Sequence, residues 1–440
     1  MNSNDTICAL ATPPGHAGVA VIRISGPQAH SIAQQLTNKT LRARHAHLVN
    51  FYAQDDVVID QGLVIYFPQP HSFTGEDVVE CHPHGNPYIC QQLLQQLTHL
   101  GARLAIAGEF SQRAFLHGKL DLAQLEAIAD LIASGSEQAA RSAVLSMQGK
   151  FSQQVQDIRQ QLILIRTHLE ASLDFTDEDI ETETRNKIAV RLEQLQTQLD
   201  AVIQVAKQGA KLQQGATLVL TGQPNVGKSS LFNALCTQNR AIVTDIPGTT
   251  RDIVAMDIDI AGVSLRLLDT AGIRDHAEPV EREGIARAQQ ALDSADCVIH
   301  VIEDPAQIDT TPLAEHALLV VNKCDLLDSS ASSNQHPQAL FVSAKTGAGL
   351  EALKQAIIAV LGVQSIDQQP PFSARLRHIE ALTRAAQAIA LARQHMQDQT
   401  PLELSAEECR SGQNCLAEIT GEFTPDDLLD YVFREFCIGK

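Results

Sequence analysis

The chain has 440 residues, with 52 Asp and Glu against 33 Lys and Arg and a formal net charge of −19. That balance argues against a free-standing nucleic-acid binder, which needs a basic face to neutralise phosphates. A hydrophobic content of 44% is ample for the cores of two or three domains, although aromatic residues reach only 4% and Trp is absent. No apolar run has transmembrane length, and the N-terminal MNSNDTICAL lacks the charged and apolar pattern of a signal peptide. Nine scattered Cys suit reduced thiols and a cytoplasmic location. Local basic spots (Lys39, Arg42 and Arg44; Arg375, Arg377 and Arg384) read as ordinary solvated surface.

Residues 1–118 read as a mixed α/β domain. TICALAT, GVAVIRISG and QGLVIYF are strand-like, and Pro13-Pro14-Gly15 joins the first two. Cys81, His82, His84 and Cys90 invite a zinc reading, but their spacing matches no standard site, and turn and core roles explain them better. Residues 119–213 turn helical. Phe151, Val155, Ile158, Leu162, Ile165 and Leu169 form one apolar stripe, and Ile188, Leu192, Leu195, Leu199 and Ile203 form a second. The acidic stretch Asp174 to Glu183 between them reads as a solvated turn. Helical pattern resumes at Phe372 and runs nearly to the end through Leu376, Ile379, Leu382, Ala386, Ile389 and Leu391. Residues 214–364, followed by the linker GVQSIDQQPP, therefore read as a domain inserted into a discontinuous helical domain of 119–213 and 365–440.

The inserted domain carries the chemistry. An apolar run, Ala216 to Leu220, leads into TGQPNVGKSS and then LFNAL, a strand–loop–helix sequence. Gly222, Gly227, Lys228 and Ser229 fit G-x-x-x-x-G-K-[ST], in which backbone N–H groups curl around phosphate oxygens at a helix N-terminus. Lys228 can reach the β- and γ-phosphates, and the Ser229 hydroxyl can ligate Mg²⁺. Asp269-Thr270-Ala271-Gly272, Asn322-Lys323-Cys324-Asp325 and Ser343-Ala344-Lys345 each close an apolar strand-like run, where open α/β sheets bind ligands. Asn322 and Asp325 offer an amide and a carboxylate to a purine edge. A carboxylate accepts from guanine N1–H and N2–H₂, so the base is expected to be guanine. Thr249 and Thr250, within DIPGTTRD, can lend oxygens to Mg²⁺ and the γ-phosphate. After DTAG stands Ile273, which cannot orient water, so hydrolysis must borrow another group; Glu278, Glu281 and Glu283 are the candidates by spacing, each equally well placed as a helix-terminal Glu.

Over nearly its full length the chain resembles the MnmE (TrmE) family of tRNA-modification GTPases. The resemblance rests on ATPPGHAGVAVIRISG, FTGEDVVECHPHG, GEFSQRAFLHGKLDLAQLEAIADLI, GQPNVGKSSLFNAL, TDIPGTTRD, VEREGI and the terminal FCIGK. The chain departs from the family pattern at His16 and in a shortened stretch between Ile302 and Ala317. The fold implied is multidomain α/β plus α: a tetrahydrofolate-binding N-terminal domain, a discontinuous helical domain and an inserted Ras-like P-loop GTPase domain.

By resemblance, GTP is held by Asn225, Val226, Gly227, Lys228, Ser229 and Ser230, by Thr244, Asp245, Ile246, Pro247, Gly248, Thr249 and Thr250, by the DTAG residues, by Asn322, Lys323, Cys324 and Asp325, and by Ser343, Ala344 and Lys345. Mg²⁺ falls to Ser229 and Thr250. K⁺ falls to Asn225, Thr244, Ile246 and Thr249, in the place of an arginine finger. Glu281 is implied as the residue that orients the attacking water, with Lys228 beside it. Arg23, Glu80, Lys119 and Lys440 are implied as contacts to a tetrahydrofolate derivative (5,10-methylene or 5-formyl form). Cys437 would stand near the folate, either in one-carbon transfer or as an inert buried thiol; read on its own, CIGK is a poor prenylation box. The implied activity is addition of a (carboxymethyl)aminomethyl group to C5 of the wobble uridine of certain tRNAs. It would involve glycine or ammonium and the MnmG (GidA) flavoprotein, with its FAD and NADH. A homodimer through the N-terminal domain, a heterotetramer or larger complex with MnmG, tRNA bound mainly through that complex, and no membrane complete the expectation. A regulatory GTPase and a scaffold without hydrolysis are the alternatives. The first lacks a visible basic RNA-binding domain after the GTPase, and intact Lys228, Ser229, Asp269 and Glu281 argue against the second.

Overall fold

The computed structural model describes residues 5–173, 178–238, 254–269, 292, 295–310, 316–327, 339–362 and 372–422. Two compact units emerge, one formed by Met1–Glu126 with Ala417–Lys440 and the other by Ala127–Leu416. The expectations for Thr244 to Thr250, Thr270 to Gly272, Glu281, Cys437 and Lys440 lie outside the described residues.

In the first unit, β1 (Ile7–Leu10), β2 (Ile22–Ser25), β3 (His47–Tyr52), β4 (Val58–Phe67), β5 (Val78–His82) and β6 (Arg103–Leu104) form one sheet in the order β3-β4-β5-β2-β1-β6. Strand alternation sends Cys8, Ile22, Ile24, Phe51, Val64, Val79 and Cys81 to one face, a core shared with α1 (Ala29–Thr37) and α2 (Pro87–His99). Ile7 and Ala9 face the other way and join Phe110 of α3 (Glu109–Leu116). α2 begins where Asn86 Oδ1 accepts from the Tyr88 and Ile89 N–H groups and Pro87 takes the first helical position. The three strand-like stretches of the sequence are β1, β2 and β4. β5 escaped because Glu80, Cys81 and His82 disguise an alternating strand: Cys81 and Cys90 belong to the core, whereas His82 shares the opposite face with Glu80.

An ion network around the buried Glu109 and Arg113 fastens α3 in this unit. Arg113 donates to Glu76, to Glu109 and to Asp5, and Arg103 donates to Glu109 and Asp5. Burial of Glu109 works to raise its pKa, but hydrogen bonds from Arg103, Ile106 N–H and Arg113 carry it below the usual carboxylate value.

The second unit joins helices to a second sheet. α5 (Glu137–Met147), α6 (Lys150–Leu173) and α7 (Glu178–Gln214) follow α4 (Leu122–Ala133), whose residues from Ala127 onward belong here. Both stripes read from the sequence are buried along α6 and α7. The helix expected from Phe372 starts later, as α10 (Leu376–Gln397; α9 is introduced below), because Phe372 to Arg375 run extended into an N-cap where Arg375 N–H donates to His378 Nδ1 at 3.0 Å. Leu382, Ala386 and Ile389 of the expected stripe are buried, but its two ends are not. Leu376 and Leu391 are 59% and 44% exposed, while Ala381, Ala385, Ala388 and Ala392 are buried beside Leu382 and Ile389. Small side chains let α10 lie close on α7, so the tight face is an alanine face. Residues 398–401 then break the helix, and α11 (Leu402–Thr420) follows.

Gly209 of α7 marks the closest approach: a Cβ there would stand 2.0 Å from the Phe372 carbonyl oxygen, while the Phe372 ring stacks on Phe151 at 4.6 Å. The second sheet, β12-β11-β10-β7-β9-β8, comprises β7 (Ala216–Thr221), β8 (Val254–Ile260), β9 (Val263–Asp269), β10 (Cys297–Ile302), β11 (Ala317–Val321) and β12 (Ala339–Phe341). All its neighbours are parallel except the β8–β9 hairpin. α8 (Lys228–Gln238) and α9 (Leu350–Leu361) cover its core.

Gly209→Ala raises helix propensity by about 1 kcal/mol, yet overpacking against Phe372 is expected to reverse the sign and cost about 1–3 kcal/mol, read as a lower urea midpoint at unchanged slope. For the first unit, the depressed carboxylate of Glu109 contributes stability that is complete above its unfolded pKa and fades as pH falls through the lower folded value. Urea midpoints measured from pH 6 down to pH 3 are expected to fall less steeply in Glu109→Gln than in the unsubstituted chain.

Candidate functional site

The parallel strands β7, β9, β11 and β12 all release their loops at one edge of the sheet. β7 is the switch point, since the chain goes next to β9 and β8 on one side and to β10 on the other. The β7–α8 loop needs backbone shapes that side chains resist. Gly222 and Gly227 have φ of +141° and +94°, and Asn225 has φ of +66°. A Cβ on Gly222 would meet the Val301 carbonyl oxygen at 2.2 Å, and one on Gly227 would meet Asn322 Nδ2 at 2.2 Å. Lys228, the first residue of α8, is buried and donates from Nζ to the carbonyl oxygens of Gly222 at 3.0 Å and Gln223 at 2.8 Å. Its ammonium thus sits inside the loop, at a helix N-terminus suited to anions. Ser229 and Ser230 are exposed beside it.

The loops after β11 and β12 lock onto this one. Asn322 is buried; its Nδ2 donates to Val226 O at 3.0 Å and Gly227 O at 3.4 Å, and its Oδ1 accepts from Ala344 N–H at 3.2 Å. The sequence placed Asn322 against a purine edge, whereas in the described structure its amide braces three loops together. Lys323, at φ +59°, donates from Nζ to Asn225 O at 3.1 Å and to Glu303 Oε2 at 2.8 Å. Asp325 is exposed and accepts at 2.6 Å from the buried Ser343 hydroxyl, which holds its carboxyl below the usual range. Ser343 in turn accepts from Thr346 N–H at 3.2 Å. Asp269 ends β9 opposite Leu220 of β7, so the strand register carries it to the same edge. Sequence reasoning missed Glu303, whose only signal is its position just past the end of β10.

A second polar group lies on the first unit's sheet. Arg23 and Glu80 are register partners on β2 and β5, and Arg23 donates from Nε and Nη2 to Glu80 Oε1 at 3.1 and 2.8 Å. His82 lies 3.4 Å from the other Glu80 oxygen, and the Arg23 guanidinium is 5.1 Å from the Phe73 ring centroid. Hydrogen bonding from His82, together with Arg23, lowers the Glu80 pKa against the effect of burial. Lys119 Nζ donates to Pro70 O at 2.9 Å, and His117 Nδ1 is 2.8 Å from Thr74 O. One loop, residues 68–77, therefore touches both Arg23 and Lys119. Phe73 was not singled out by the sequence reading, which weighed His82 only as a zinc ligand; the i, i+2 spacing of Glu80 and His82 on a strand was the available signal for their pairing.

Comparison with known proteins agrees over the whole chain. A family model described as GTP-binding protein TrmE N-terminus matches residues 6–119, and one described as MnmE helical domain matches residues 122–437. A tRNA modification GTPase MnmE of Nitrosococcus oceani is 47% identical over 447 residues, covering 99% of this chain and 97% of that protein. The protein of the same name from Hydrogenovibrio crunogenus is 45% identical over 449 residues, covering 100% and 99%. That of Acinetobacter baumannii is 47% identical over 453 residues, covering 100% and 99%.

Asp325→Asn turns an acceptor into a donor facing guanine's own donors. Nucleotide competition assays are expected to show weaker GTP binding and a shift of preference toward XTP; an unchanged base preference would remove Asp325 from the base site.

Proposed function

The chain belongs to the MnmE family of tRNA modification GTPases, and on that premise we propose how its residues divide the work. It is a GTP hydrolase of tRNA modification. The finer reading is a K⁺-stimulated GTPase that acts in the cytoplasm as a homodimer with the flavoprotein MnmG. Together they would add a (carboxymethyl)aminomethyl group to C5 of the wobble uridine, drawing on a one-carbon unit carried by tetrahydrofolate. The observation that supports it best is the shared sheet edge of Gly222, Lys228, Asp269, Asn322 and Asp325, where Asn322 and Ser343 join the glycine-bearing β7–α8 loop to the loops after β11 and β12.

In this reading the Lys228 ammonium leaves the Gly222 and Gln223 carbonyls for the β- and γ-phosphates, and the loop N–H groups take the remaining oxygens. Asp325, held by Ser343, accepts from the guanine N1–H and N2–H₂. Asn322 keeps the phosphate loop and the Ser343–Ala344 loop at fixed separation while the nucleotide binds. The exposed hydroxyl of Ser229 fits Mg²⁺, with Thr250 as its partner. The exposed side chain of Asn225, in its left-handed backbone, fits K⁺, with Thr244, Ile246 and Thr249. Bound there, the two cations supply positive charge where the γ-phosphate develops negative charge. Glu281 orients the attacking water.

The Arg23–Glu80 pair fits a folate by its donor set. About a fifth of each side chain remains accessible, a carboxylate stands ready to accept from pterin N–H groups, and the cations Arg23, Lys119 and Lys440 suit the glutamate tail. The folate would supply the carbon unit; these residues bind and orient it, with Cys437 nearby. FAD belongs to the partner.

Two measurements test the reading. Glu281→Ala is expected to leave GTP affinity nearly unchanged and lower kcat by roughly 10²–10⁴; weakened affinity with normal kcat would remove Glu281 from the catalytic step. Mass spectrometry of digested tRNA from a strain lacking the chain is expected to show loss of aminomethyl-type C5 modifications at wobble uridines. The unsubstituted chain should restore them, and Glu281→Ala and Cys437→Ser should not. An unchanged modification profile would overturn the pathway assignment.

A further inference from the structure

One stretch runs against the chain's acidity. Residues 6–54 contain no Asp or Glu, although the chain has 52, and they carry Arg23, Lys39, Arg42 and Arg44. The last three lie between α1 and β3, all exposed. The loop that bears them is firmly built. Leu41 anchors it in the core, and Arg42 N–H donates to His47 Nε2 at 2.9 Å. Arg44 takes a left-handed φ of +56°, and its N–H donates to Tyr66 O at 2.7 Å.

The side chains are held by neutral acceptors. Lys39 Nζ donates to Leu48 O at 3.0 Å, and Arg44 Nη2 donates to His71 O at 2.5 Å. Among the described residues none of Lys39, Arg42 and Arg44 forms an ion pair, and the nearby Asp56 carboxylate accepts from Asn38 Nδ2 at 3.3 Å. Two anchored cations and the exposed Arg42 guanidinium between them, on a chain of net charge −19, make a localised anion-binding surface.

We propose that the Lys39–Arg44 loop is a docking surface for the phosphodiester backbone of the RNA substrate, which rests on the tRNA-modification reading above. Position supports the choice of RNA over an acidic protein. His71, which accepts from Arg44, lies in the same 68–77 loop that receives Lys119 at Pro70 and sets Phe73 against Arg23. A nucleotide presented to the Arg23–Glu80 group therefore has this loop as a neighbouring site for its flanking phosphates. Guanidinium forks suit phosphate oxygens, and a pre-fixed backbone lowers the ordering cost of binding. With three contacts the surface adds modest affinity and sets orientation, in keeping with a chain whose net charge is −19.

The test uses the full chain and an unmodified tRNA transcript, with Kd measured between 50 and 200 mM salt. Three phosphate contacts predict a log–log salt slope of about −2.1 to −2.7, or roughly a 20- to 40-fold loss of affinity across that range. Lys39→Gln/Arg42→Gln is expected to bring the slope nearer zero by about 1.5 to 2, and adding Arg44→Gln by nearly one more. Thermal midpoint and GTP hydrolysis without tRNA should stay at the unsubstituted values, because none of these residues touches the nucleotide edge. The double variant keeps the Arg44 anchor, so a folding defect in the triple variant alone leaves the test intact. An unchanged affinity and slope in the double variant would overturn the proposal, as would no measurable tRNA binding by the unsubstituted chain at 50 mM salt. So would a variant that keeps tRNA binding but loses self-association or flavoprotein binding, which would assign the loop to an acidic protein. Titration with 5-formyl-tetrahydrofolate separates the two readings: absent folate binding in every form would sink the folate site while the tRNA slopes still decide this one.

Discussion

Asp130 holds together the two points where the chain leaves the helices for the second sheet and returns from it, through its backbone carbonyl at the first and its buried carboxylate at the second. Its Oδ2 accepts from the Ser373 hydroxyl at 2.6 Å, its Oδ1 accepts from Arg375 Nη2 at 2.9 Å, and its backbone carbonyl accepts from Gln213 Nε2 at 3.1 Å. Gln213 is in the last turn of α7 before β7, and Ser373 and Arg375 belong to the segment that comes back. An inserted domain needs its entry and exit close together, and here one residue binds both, the first by its backbone carbonyl and the second by its carboxylate. The returning segment is held again by Ser146 Oγ at the Ser373 carbonyl and by Ser142 O at the Ser373 N–H. A carboxylate taken out of water is tolerable because each of its oxygens has a donor.

How far each part could be read from sequence follows from how local its cause is. The phosphate loop is short, and its glycines serve backbone shapes found within ten residues, so TGQPNVGKSS announces itself. The stripes of α6 and α7 are equally local, since large apolar residues recur at helical spacing. The brace from Asn322 to Val226 and Ala344 is not local: it spans 96 and 22 residues and depends on β11 lying beside β12 and within one strand of β7. The α10 stripe was legible at Leu382, Ala386 and Ile389 but not at its ends. Leu376 and Leu391 are exposed, and the alanines Ala381, Ala385, Ala388 and Ala392 widen the buried face, a choice that close helix approach makes and a search for large apolar residues overlooks. Arg23 and Glu80, 57 residues apart, look like solvated surface until antiparallel register makes them partners.

Two kinds of charge arrangement stand side by side in the first unit. Asp5, Glu76, Glu109, Arg103 and Arg113 are internally matched, which makes them supports for α3 and leaves little attraction for an outside ligand. The pair Arg23–Glu80 is matched too, but it remains partly accessible and sits beside an aromatic ring, so a ligand with both donors and acceptors can compete for it. The difference between structural and functional ion pairs here is access, since Glu80 and Glu109 are both held below the usual carboxylate value by their hydrogen-bonding neighbours.

The β8–β9 hairpin connects the nucleotide edge to the helices through the sheet itself. Its turn, Ala261-Gly262, has both residues at positive φ, and Gly262 N–H donates to Asp259 Oδ1 at 2.8 Å. The start of α5 grips that turn, with Gln138 Nε2 donating to Ala261 O at 2.9 Å and Gln138 N–H to Gly262 O at 3.3 Å. Gly135 and Gly215 flank Ser264 closely, since a Cβ on either would come within 3.3 and 3.0 Å of it, so the hairpin base has no room to slide sideways. From this fixed end seven register pairs run to Asp269, the residue that closes β9 at the nucleotide edge. An antiparallel ladder of that length cannot shear by one residue without sending every side chain to the wrong face. Leu265 and Leu267 of β9 and Ile258 and Ile260 of β8 are all buried in the sheet core, which makes such a slip costly. Asp269 is therefore positioned from the helical side as much as from β7, and the same α5 that sets it also holds the returning segment at Ser373.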